Sequence, residues 1–151
     1  MGAGTPGLFV TGTGTEVGKS VVAAVIANEA ATAGKRVGVF KPAVSGLAEG
    51  GESDHALLRR AARSEQSDDE VAPYRFDPPV SPHLAAELAG VEIDAGALPG
   101  LARAAGAGAD ALVCEGVGGL LVPLTYSYLV RDLAADLGLP LVVVADPALG
   151  T

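Results

Sequence analysis

The sequence predicts an α/β fold, a parallel sheet with helices on both faces, from three observations. Its apolar runs are short and continuous rather than alternating, as in strands buried on both sides. Stretches of helical character separate them. Glycines, lysines and a carboxylate gather just after the strands, at the end of such a sheet where ligands bind.

Leu8 to Thr11 is a short apolar run ending in Gly12 and gives the first strand. Val21 to Ala33 is an Ala-rich helix, with Gly34 placed to end it. Arg36 to Lys41 is β-branched and stops at Pro42, a second strand. Ser45 to Gly51 is loop. Ser53 is placed to cap a helix through Arg63, with Leu57 and Leu58 on one face and Arg59, Arg60 and Arg63 mostly outward. Ser64 to Glu70 reads as a polar linker. Pro78, Pro79 and Pro82 exclude helix and central strand from Tyr74 to Pro82. His83 to Ala89 and Leu98 to Ala107 read as helices, the first ended by Gly90, the second with Pro99 in its first turn. Asp110 to Cys114 is a buried strand running into a glycine loop, Glu115 to Gly119. Leu129 to Leu137 is a helix, and Leu139 to Ala145 the most apolar strand.

A length of 151 residues fits one domain. With 49% hydrophobic and 19% charged residues, the chain is too apolar to be disordered. No apolar run reaches the roughly 18 residues that span a bilayer. Ten basic against 18 acidic residues, a net charge of −8, disfavour nucleic acid and anionic membranes as partners. The lone Cys114 cannot form an internal disulfide, and Met-Gly-Ala-Gly-Thr-Pro carries neither a basic nor an apolar leader region, so a cytoplasmic setting is expected. Pro6 breaks the myristoylation pattern.

The loop Gly12-Thr13-Gly14-Thr15-Glu16-Val17-Gly18-Lys19-Ser20 follows a strand and opens a helix. That is what a phosphate requires: inward backbone N–H groups, a helix N-terminus, a lysine for the β/γ-phosphates and a hydroxyl for Mg²⁺. The fold is therefore expected to be that of P-loop nucleoside triphosphate hydrolases, although five residues, not four, separate Gly12 from Gly18. A dinucleotide fingerprint fits less well, because Val17 stands where its third glycine belongs and the second strand ends in Lys41 rather than an acidic residue. Only three lysines occur, and two of them, Lys19 and Lys41, lie in candidate phosphate loops. A strand-end lysine can also simply snorkel. Asp54 can equally be a helix-start carboxylate favoured by the dipole. Glu115, at the end of a buried strand, is harder to explain without a partner. Cys114 reads as core packing, and His55 and His83 stay outside the site.

Phe9 to Ser20, Lys41-Pro42-Ala43-Val44-Ser45-Gly46, Ser81-Pro82-His83 and Glu115-Gly116-Val117-Gly118-Gly119-Leu120-Leu121-Val122-Pro123 together resemble the dethiobiotin synthetase family, including its lengthened phosphate loop. The resemblance runs in order along essentially the whole chain, 1–151, as one domain, and family chains continue past Thr151. It implies an ATP-dependent cyclo-ligase of biotin biosynthesis. Such an enzyme carboxylates 7,8-diaminopelargonate with CO₂, phosphorylates the carbamate from Mg²⁺-ATP and closes the ureido ring with loss of phosphate. By resemblance, Gly14, Thr15, Glu16, Val17, Gly18, Lys19, Ser20 and Val21 hold the triphosphate. Lys41 and Lys19 are then catalytic, Thr15 and Ser45 face the diamine, and Ser20, Asp54 and Glu115 bind Mg²⁺. Asp54 and Glu115, with Gly116, Val117 and Gly118, also line the nucleotide. A homodimer is implied as well. Against the family pattern, Ser20 replaces the commoner threonine, and the connection at Tyr126-Ser127-Tyr128 is expected to be longer or more polar.

Two other readings share the fold. A nucleotide-driven switch usually carries a further lysine five residues before the motif lysine, where this chain has Gly14, and has no need of Lys41 and Ser45. An amidation domain of cobyric or cobyrinic acid synthesis normally continues into a glutamine amidotransferase.

Overall fold

A computed structural model describes residues 4–148; the expectations drawn from Met1-Gly2-Ala3 and from the end at Thr151 fall outside the described residues. Strand β1 (Gly7–Gly12) leads through the glycine loop into α1 (Lys19–Thr32), and β2 (Val37–Phe40) follows. β3 (Ala43–Val44) precedes a 3-10 turn at Leu47–Glu49 and α2 (Asp54–Ala61). Next come α3 (Asp68–Val71), β4 (Tyr74–Arg75), α4 (Pro82–Ala89) and α5 (Leu98–Ala105). β5 (Ala111–Gly119), β6 (Pro123–Thr125), β7 (Tyr128–Leu129), α6 (Val130–Leu137) and β8 (Leu141–Val144) complete the order.

The main sheet has the order β2-β5-β1-β8, with every pair parallel. Neighbouring residues on each strand face opposite layers. Phe9, Phe40, Leu112 and Cys114 join Ala86, Ala102, Val130 and Leu133 of α4, α5 and α6. Val10, Val39 and Val113 join Ala23, Ala27, Leu58 and Val71 of α1, α2 and α3. The sheet is thus covered by helices on both faces, as the continuous apolar runs predict. Fully buried side chains such as Phe9, Phe40 and Leu58 each contribute about 1.5–3 kcal/mol of apolar transfer. Among the described residues no helix is long and apolar enough to cross a membrane.

Several elements differ from the sequence expectation. Ser64 to Glu70 is not merely linker: Ser67 and Glu70 form a reciprocal capping box that starts α3. This segment also closes the free edge of β2, where the Gln66 amide and the Val71 carbonyl take the backbone groups of Val39 and Lys41. Orphaned, each such buried group would cost about 1–3 kcal/mol. Glu115 to Gly119 is strand rather than loop, because β1 continues to pair with it. The register slips there, so that β1 advances from Val10 to Gly12 while β5 advances from Glu115 to Gly119. The additional residues bulge beside the phosphate loop. Ser53 occupies the cap position of α2 without a capping side-chain bond. Tyr126 and Ser127 form the tip of an antiparallel hairpin between β6 and β7, a tight turn rather than a long connection. Strand β8, the most apolar run, is an edge strand with Leu141 and Val143 about half exposed.

Candidate functional site

The C-terminal ends of β1, β2 and β5 meet at one rim, and α2 closes it from the side. β1 delivers the glycine loop. Gly12 must be glycine, since a Cβ there would lie 2.7 Å from Val17 Cγ2 and 2.9 Å from the Lys19 stem. Gly18, at φ 96°, turns the chain into α1, and Glu16 holds a left-handed φ of 60° without being glycine. Such strain in a non-glycine residue persists where surrounding structure enforces it.

Lys19 is the first residue of α1, and only 6% of it is exposed. Its ammonium donates to the Gly14 carbonyl at 2.8 Å, curling back over the loop. Burial, and then Lys41, push its pKa below the ordinary lysine value, against the pull of Glu115 and Asp54. The next residue, Ser20, donates from Oγ to Glu115 Oε1 at 2.6 Å, which stitches α1 to β5.

Lys41 stands just past the end of β2, 2% exposed. Its ammonium lies 2.9 Å from Glu115 Oε1 and 3.1 Å from Asp54 Oδ2, and donates to the Gly116 carbonyl at 3.1 Å. Burial opposes this charge, but Glu115 and Asp54 outweigh it and leave the Lys41 pKa above the ordinary value. Burial likewise opposes ionisation of Asp54, yet Lys41, with help from Ser20 and Lys19, holds its pKa below the usual carboxylate value. Glu115 is completely buried, and its Oε2 has no hydrogen-bond partner.

These side chains border a cavity of about 410 Å³ lined by Lys19, Ser20, Lys41 and Asp54, together with Thr15, Glu16, Gly18, Val21, Ser45, Val117 and Gly118. Four predicted positions do not line it. Gly14 and Gly116 offer carbonyls to the two lysines, Glu115 acts through its carboxylate, and Val17 packs behind the loop against Gly12. The cavity wall also includes Val44 and Glu49, which the sequence reading did not single out. Val44 sits between two noticed residues, and Glu49 belongs to the segment read only as loop. Thr11 Oγ1, fully buried and without a hydrogen-bond partner, was missed too. His83 lies elsewhere, 3.0 Å from Ser81 Oγ and edge-on to Tyr126.

No group of three or more His, Cys, Asp or Glu among the described residues forms a metal cluster. The donor set suits Mg²⁺ nonetheless. That ion takes hard oxygens and keeps several waters. Ser20 and two carboxylates converge here, Glu115 has a free oxygen, and the Lys41 ammonium already rests between the carboxylates as a cation would. Chemically, the site concentrates two ammonium groups and a helix N-terminus at one opening, an arrangement that attracts and orients phosphate oxygens.

Residues 6–151 match the family model described as an AAA domain. The chain is 46% identical over 145 residues to the ATP-dependent dethiobiotin synthetase of Anaeromyxobacter dehalogenans, covering 96% of this chain and 65% of that relative. It is 41% identical over 146 residues to the protein of the same name in Bacillus cereus, covering 96% of this chain and 60% of the relative. The chain therefore spans somewhat less than two thirds of the length of these curated relatives.

Proposed function

Because this chain belongs to the AAA domain family, we propose that it uses ATP, and specifically that it is an ATP-dependent dethiobiotin synthetase acting on 7,8-diaminopelargonate and CO₂. The observation that carries this reading is Lys41. A phosphate loop alone would serve any nucleotide hydrolase, but here a second buried lysine faces it across a cavity that also contains Ser45. The relatives named as dethiobiotin synthetases support the same choice.

In this reading, one amine of the diamine attacks CO₂ and loses a proton to give a carbamate. A carbamate oxygen attacks the γ-phosphorus of ATP, forming the carbamic-phosphoric anhydride and releasing ADP. The second amine attacks the anhydride carbonyl, expels phosphate, loses its proton and closes the ureido ring. Two anions must be pressed together in the phosphoryl step, so the work is positioning and charge neutralisation. Lys19 and the backbone from Gly14 to Val21 hold the triphosphate. Lys41 leaves its resting place between Asp54 and Glu115 to neutralise the carbamate and the transferred phosphoryl group. Thr15 and Ser45 orient the diamine by hydrogen bonds. Ser20, Asp54 and Glu115 would hold Mg²⁺, which would supply neutralisation of the phosphate charge. Gly116, Val117 and Gly118 line the nucleotide. The chain is proposed to act as one domain, as a homodimer in the cytoplasm.

The test is incorporation of labelled bicarbonate into dethiobiotin by the protein with diaminopelargonate and Mg²⁺-ATP. Diamine-dependent incorporation supports the reading. ATP turnover indifferent to the diamine overturns it in favour of a nucleotide switch.

A further inference from the structure

β2 is the outermost strand on its side of the sheet, so every second backbone group along it faces away from β5. Val39 is fully buried, which denies its outward N–H and C=O any water. Gln66 supplies both partners with one side chain: Oε1 accepts from the Val39 N–H at 2.9 Å, and Nε2 donates to the Val39 carbonyl at 3.1 Å. Among the side chains, only Asn and Gln carry a donor and an acceptor on one planar amide, and Asn is a methylene shorter. Ser64 fixes which way the amide faces, donating from Oγ to the same Oε1 at 2.9 Å. The next outward-facing residue is Lys41, whose N–H donates to the Val71 carbonyl at 2.8 Å.

The segment that provides these partners is itself anchored. Its capping box joins Ser67 and Glu70, the Arg59 guanidinium lies 2.6 Å from Asp68, and Val71 is fully buried. An amide group therefore stands where a neighbouring strand's peptide would stand, two residues before the lysine that reaches the site.

We propose that Gln66 is a positioning residue for Lys41: its amide holds the end of β2, and so fixes the backbone point from which the Lys41 side chain reaches into the cavity. Phosphoryl transfer by positioning is sensitive to displacements of about an ångström, and Lys41 reaches the cavity from the strand end that Gln66 clamps. The inference rests on the functional reading above for what Lys41 does, though not for where it sits.

Gln66→Met keeps the bulk and removes the amide; Ser64→Ala removes only the hydroxyl that orients it. In the full chain, Gln66→Met is expected to lower kcat for ring closure at least about tenfold while KM for ATP stays within about twofold. Ser64→Ala should give a smaller fall in the same direction and keeps the question open to measurement if the first variant folds poorly. In a Lys41→Ala background, Gln66→Met should cost no further kcat, since its effect passes through Lys41. Amide hydrogen exchange provides a readout independent of turnover: protection at the Lys41 N–H should fall while that of Val22, bonded to the Gly18 carbonyl at 3.0 Å in α1, stays as in the wild type. Unchanged kcat and unchanged Lys41 exchange in both variants would overturn the proposal. So would protection lost equally at Lys41 and Val22, or a full extra cost in the Lys41→Ala background. A wild type without diamine-dependent turnover would defeat the functional reading alone, and the exchange measurement would then decide the role of Gln66.

Discussion

The two lysines of the site reach it from regions built in opposite ways. Lys19 belongs to one unbroken stretch, strand, glycine loop and helix start, and its ammonium bonds to a carbonyl five residues away. Lys41 is held by three separate stretches of chain: Asp54 from α2, Glu115 and Gly116 from β5, and the segment through α3, whose Val71 takes its N–H and whose Gln66 pairs with Val39. The first region is fixed by local geometry and the second by tertiary packing. Equal charges in one cavity therefore differ in what disturbs them.

The largest difference between the two lysines should appear in the kinetics of their variants. Lys41→Ala is expected to slow ring closure by about 10²–10³-fold, the scale of losing one preorganised charge, with ATP affinity little changed. Lys19→Ala should harm both turnover and ATP binding. Mild, equal effects of both substitutions, measured by steady-state kinetics and nucleotide titration, would contradict the division of roles.

Stability should divide along the same line. Glu115→Ala strips Lys41 of its buried partner and Ser20 of its acceptor, and is expected to cost about 3–5 kcal/mol in denaturant unfolding, as removal of one member of a buried pair does. A loss below about 1 kcal/mol would mean that Lys41 relaxes freely into water.

Smaller effects come with pH. The Asp54 pKa is depressed below its ordinary 3.8 in the folded chain. Its stabilising contribution is thus complete above that value and is lost as pH falls through the depressed pKa. The Lys41 pKa is raised above 10.5, so its contribution is present below that value and is lost as pH rises through the higher one. The stability gap between wild type and Asp54→Asn should be constant near neutrality, no more than about 1 kcal/mol for a half-exposed carboxylate, and shrink on the acid side. Urea midpoints across pH measure it, and a gap that widens on acidification would mean that the Asp54 pKa is raised by folding rather than depressed. Smallest of all, Cys114 is fully buried, and burial pushes its thiol up to about 12. It should stay unreactive to a thiol reagent at pH 8 until the chain unfolds.

The same contrast explains what could be read from the residues alone. Gly12 to Ser20 was legible because phosphate binding demands adjacent residue types in one order. That both faces of the sheet would be covered was legible in the continuous apolar runs, of which Phe9-Val10 and Leu112-Val113-Cys114 fill opposite layers. Gln66 and Val71 were not legible: nothing in a polar stretch announces that it will close a strand edge, since the need arises only when β2 takes the outer place. Glu115 to Gly119 looked like loop because its glycines suit turns, whereas pairing with β1 keeps it in the sheet. Val44 and Glu49 join the cavity through the path of the chain after Pro42, which pattern alone does not trace.

The strand order has a consequence for how the molecule comes together. β5 lies between β1 and β2, although both precede it in the chain by a long interval. During synthesis the first two strands have no mutual pairing to form, and must wait for β5 to arrive before the sheet can close around it. Contacts of such sequence separation make folding slow. They also leave the early apolar strands exposed to other chains in the meantime. The Ser20–Glu115 bond, which spans 95 positions of sequence, can form only at that late step. Until then the phosphate loop exists as sequence but not as a formed binding surface, so nucleotide capture should appear together with the insertion of β5 rather than before it.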